Sequence, residues 1–147
     1  MSSRSSWGIS PRRSIEAECT RRGKAAVVAG CIALLDGDTR DRRLIVALGG
    51  PPAQQMLIGN SRADLLLWLR VWAVRGLLWA WDESALDALR VALDDDAWRV
   101  REMAAKVVAR HLLGDLLSSV ANLRNDPVAR VRQAAGRSVA RLTLARA

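Results

Sequence analysis

The chain of 147 residues contains no tyrosine and no phenylalanine, so every large aromatic contact in it falls to its six tryptophans. It has a single histidine, His111, and no GxSxG, P-loop or GxGxxG pattern, which leaves an enzymatic reading with little support. The only cysteines, Cys19 and Cys31, form no CxxC and have no histidine cluster near them, so neither a disulfide framework nor a metal site is suggested, and the reducing cytoplasm fits. No apolar run approaches the roughly 20 residues of a membrane span. No stretch with period-two alternation interrupts the helical pattern, so an all-α chain is expected. No catalytic residue, cofactor or metal is expected.

What is present is a register. Residues 31 apart match in chemistry across three successive segments: Asp64, Asp95 and Asp126; Arg70, Arg101 and Arg132; Ala73, Ala104 and Ala135. Leu69, Val100 and Val131 form an apolar column, and Arg75, Lys106 and Arg137 a basic one. Each segment reads as a turn followed by a long helix with apolar residues at helical spacing, and one such helix pair cannot bury its apolar stripe without a neighbour. The clearest units are about 51–82, 83–113 and 114–147. Gly49-Gly50-Pro51-Pro52 reads as a break between helices, because glycine ends a helix and proline starts one.

The stretch Asp126-Pro127-Val128-Ala129-Arg130-Val131-Arg132-Gln133-Ala134-Ala135, echoed from Asp95 to Ala105, resembles the second helix of HEAT repeats in a compact bacterial-like form. That resemblance implies a right-handed α-α superhelix, or solenoid. It also implies that Asp64, Asp95, Asp126, Arg70, Arg101 and Arg132 form a structural ladder, with each aspartate as an N-cap. Two HEAT-like enzyme families, the alkylpurine DNA glycosylases and the phycobilin lyases, share that architecture. Trp79, Trp81 and Asp82 invite a remote comparison with the former, resting on fold analogy alone.

Residues 1–24 carry little apolar surface and a net charge of +4, and are expected to be a disordered basic leader before a repeat domain over 25–147. Val28-Ala29-Gly30-Cys31 has the form of a bacterial lipoprotein box, but the apolar run before it is short and helical sequence follows. Cys31 is therefore expected in a core helix.

A second stripe lies beside the core. Trp68, Trp72, Arg75 and Trp79 follow i, i+4, i+7, i+11 spacing on one expected helix. Their mates include Arg99, Lys106 and Arg110, then Arg130, Arg137 and Arg141. Residues 99–147 hold ten basic against three acidic residues, a balance of +7, whereas residues 25–98 stand at −3. In HEAT-type solenoids the second helices line the concave side, so Trp68, Trp72, Arg75, Trp79, Arg99, Lys106, Arg110, Arg137 and Arg141 are expected to bind a partner. An acidic protein surface is the first expectation, with Trp and Arg as anchors. Nucleic acid is the alternative, and a membrane is not expected.

Overall fold

The computed structural model describes residues 8–59 and 62–146. Among them no strand occurs, and the chain divides into two compact units, Met1–Ala85 and Leu86–Ala147, where the sequence suggests one repeat domain over 25–147. Among the described residues no helix is long and apolar enough to cross a membrane.

The N-terminal unit contains α1 (Pro11–Arg22), α2 (Lys24–Leu35), α3 (Arg42–Gly49), α4 (Pro51–Gly59) and α5 (Arg62–Gly76), then a 3-10 turn at Glu83–Ala85. The expected disordered leader is corrected by α1; residues 1–7 of that leader lie outside the described residues. Ser10 caps α1 by accepting the Arg13 N–H at 3.2 Å, and Pro11 supplies a preset φ at the first helical position. One apolar residue, Ile15, is fully buried, and Ser14 Oγ donates to the Ala47 carbonyl of α3 at 2.7 Å. Charge completes the seam: Arg21 and Arg22 donate to the buried Glu18, and Arg22 Nη1 reaches Asp41 Oδ2 at 2.6 Å. Asp41 in turn caps α3 through the Leu44 N–H at 3.0 Å. Gly23, at φ +93°, makes the turn from α1 into α2 that an L side chain would strain.

Cys31 lies fully buried in α2, and burial pushes its thiol pKa up to about 12. The helix break expected at Gly49 to Pro52 is observed, with α3 ending at Gly49, Gly50 at φ +70° and α4 opening on Pro51.

In the C-terminal unit α6 (Leu86–Ala92) precedes α7 (Trp98–His111), and α8 (Leu117–Asn122) precedes α9 (Ala129–Arg146). The register of 31 is visible in the backbone, since α6 and α8 start 31 residues apart and so do α7 and α9. α5 departs from it, starting at Arg62 and taking Asp64 into its first turn, where Asp64 is exposed. The buried columns hold throughout: Ala73, Ala104 and Ala135 are fully buried, as are Val100 and Val131, and Leu69 is 1% exposed. Burying a side chain of the Val or Leu kind is worth about 1.5 to 3 kcal/mol, so these columns are where the units gain their cores.

The aspartates at the helix starts differ from the expected N-caps. Asp95 and Asp126 each stand three residues before the helix and accept the N–H two residues on, from Ala97 and Val128, both at 2.9 Å. The chain thus enters α7 and α9 through an Asx turn, and Pro127 sits in that turn rather than at the first helical position.

Candidate functional site

Residues expected to bind a partner fall in both units, and each group is described within its own. In the N-terminal unit the stripe is largely internal. Trp72 is only 6% exposed, stacked on Trp68 with ring centroids 6.1 Å apart and planes 29° from parallel. Its ring lies so close to Gly49 that a Cβ there would meet it at 2.7 Å, so glycine at this helix end is a packing requirement. Arg75 Nη2 donates to the Leu48 carbonyl at 2.8 Å, in the last turn of α3, where a cation suits the negative end of the helix. Its Nε is buried with no acceptor among the described residues, and burial pushes its pKa down. Trp72 and Arg75 are therefore corrected from partner contacts to parts of the core and of a helix cap. α5 ends at Gly76, which places Trp79 in the following turn and off the helical stripe. Trp68 and Trp79 remain half-buried.

The C-terminal unit presents a different surface. Trp98, the first residue of α7, meets two guanidinium groups, Arg99 at 4.3 Å and Arg130 at 5.5 Å from the ring centre. Such contacts are worth about 0.5 to 1 kcal/mol each at exposed sites. Arg130 Nε also donates to Glu102 Oε2 at 3.1 Å, and Lys106 Nζ approaches the same oxygen at 3.7 Å. Glu102 is 8% exposed, and these two cations answer its charge. Farther along α9, Arg137 and Arg141 are exposed and form no ion pair among the described residues. Arg110 is exposed near the end of α7, and His111 is half-buried at its last position.

The ladder residues also separate by role. Arg101 Nε and Nη2 hold the two carboxylate oxygens of Asp126 at 2.8 and 3.2 Å, and Arg101 Nη1 donates to the Asp95 carbonyl at 2.8 Å. Arg132 Nη1 repeats the second contact one repeat on, donating to the Asp126 carbonyl at 2.7 Å. Arg70 Nη1 bonds within its own helix, to the Leu66 carbonyl at 3.2 Å. Burial works to raise the Asp126 pKa, but the Arg101 hydrogen bond and the Val128 N–H outweigh it and hold it below the usual carboxylate range.

Trp98 and Glu102 escape a reading by columns because neither recurs: Trp98 has Leu67 and Ala129 as its mates, and Glu102 has Val71 and Gln133. A signal was there in the adjacency of Trp98 and Arg99, one helical turn before Glu102. Among the described residues no three of His, Cys, Asp and Glu come together as metal ligands. No protein-family model matches the chain, and no curated protein or solved structure matches it.

Proposed function

We propose that this chain is a non-catalytic HEAT-like binding module of the cytoplasm, its helix pairs wound as a right-handed solenoid, and that the basic surface of α7 and α9 receives an acidic protein partner. The observation that carries this reading is the Trp98 cluster. A half-buried indole against two guanidiniums presents the two residue types most enriched at interface hot spots, already ordered. On the same face α9 contributes Arg130, Arg137 and Arg141, and the helix holds no acidic residue.

A nucleic-acid partner on the same surface is the second reading, favoured by those arginines. Magnitude argues for the protein partner. Lys106 and Arg130 are engaged with Glu102, and Arg99 lies on Trp98, which leaves Arg137 and Arg141 as the stripe cations of α9 outside any ion pair or ring contact among the described residues. Two phosphate contacts give a salt slope of about −0.9 each, far short of the roughly 6 to 10 contacts of a strong DNA binder. The two readings are separated by measuring binding to labelled DNA and RNA over a salt series, with Arg137→Glu/Arg141→Glu alongside. Weak binding that the variant does not alter supports a protein partner. Tight, steeply salt-dependent binding lost in the variant supports nucleic acid.

A further inference from the structure

The internal Arg101–Asp126 pair has an unanswered counterpart. Arg101 uses Nη1 on the loop before its own helix and turns Nε and Nη2 to the carboxylate at the start of the next repeat. Arg132, 31 residues on, makes the same Nη1 contact to its own loop, but its Nε and Nη2 meet no acceptor among the described residues. The surface beside it is open in the same sense. Ala105 and Val108 in α7 are fully buried and Ala109 is 9% exposed, while their mates in α9, Gly136 and Val139, are half-buried and Ala140 is exposed. These residues share a shoulder of α9 with Arg132, on the side away from Arg130, Arg137 and Arg141.

The geometry points to this shoulder of α9 as a docking edge for a further helix, from outside residues 1–147, whose leading loop carries an aspartate seated on Arg132 as Asp126 is seated on Arg101. The small residues Gly136 and Ala140 let a helix approach closely, and the guanidinium fork fixes its register bidentately. Charge selects the occupant. α9 holds five arginines and no carboxylate, so two copies of α9 face to face would repel, whereas an acidic helix start is complementary. This edge is separate from the basic stripe, and it stands whether or not the Trp98 surface binds a partner.

The test supplies a helix pair of that chemistry in cis. A second copy of residues Gly114–Leu144 is fused directly after Leu144, continuing the register of 31, and the rate of tryptic cleavage within the appended copy is measured. The appended unit is expected to be protected, and Asp126→Asn made only in that copy, or Arg132→Ala in the host, should speed its cleavage at least tenfold. Equal, rapid cleavage in all three proteins would overturn the proposal. Sedimentation of the unextended chain checks the occupant: a monomer is expected, and a dimer abolished by Arg132→Ala would assign the edge to a second copy instead and overturn the proposal.

Discussion

Arg101 and Asp126 form a paired fork in which two nitrogens of one guanidinium meet both oxygens of one carboxylate, with the side chains only 14% and 4% exposed. The pair joins consecutive repeats of the 31-residue register. Removing one partner leaves the other buried and unanswered, so Asp126→Ala should cost about 3 to 5 kcal/mol. Urea denaturation followed by circular dichroism measures it; a loss within about 1 kcal/mol would mean that the pair is in practice solvated.

Acid should act through the same kind of group. Glu18 is held below its ordinary pKa first by the hydrogen bond from Arg21, and Asp41 by that from Arg22. At Asp126 burial pushes upward, and the hydrogen bonds led by Arg101 overcome it. A carboxylate with a depressed folded pKa binds protons more readily when unfolded. Its contribution is therefore complete above the unfolded value, near pH 4, and is lost as pH falls through the folded one. Urea midpoints should be flat from pH 7 to about 5 and drop below about 4, and Asp126→Asn should flatten part of that drop.

Within the core, Ala104→Asp places a carboxylate at a fully buried position with no cation arranged for it among the described residues. Loss of at least about 3 kcal/mol, or failure to fold, is expected. An unchanged melting temperature would contradict the assigned register.

Ser138 offers the opposite sign. Its side chain is fully buried in α9, and its hydroxyl has no hydrogen-bond partner among the described residues. Ser138→Ala removes an unsatisfied polar group and raises helix propensity, so stability should increase by about 1 kcal/mol, read as a higher melting temperature. A decrease would indicate that the hydroxyl contributes packing or a bond of its own.

Much of the helical organisation could be read from recurrence. The alanine and valine columns mark buried positions because a packed repeat tolerates only small or apolar side chains there, and Gly49 to Pro52 mark a break through their backbone chemistry. Recurrence misleads where one sequence position meets different neighbours. Arg75, Lys106 and Arg137 share a column, yet the first caps α3, the second faces Glu102 and the third is exposed. The folding of α1 escaped hydropathy because polar contacts carry its seam, with Ile15 as its only fully buried apolar residue. Trp98 escaped because it has no column mates of its kind, and its importance depends on Arg130 arriving from another helix.

Binding to labelled duplex DNA and single-stranded RNA from low salt to about 0.15 M tests the claim of an acidic protein partner on the α7 and α9 surface. The variant Arg137→Glu/Arg141→Glu is compared at each salt concentration, with helicity recorded for both proteins. Equal helicity is predicted, with a slope no steeper than about −2 and little binding by either protein at the highest salt. Tight binding that persists there, falls with a steep slope and disappears in the variant would contradict the claim and assign the surface to nucleic acid.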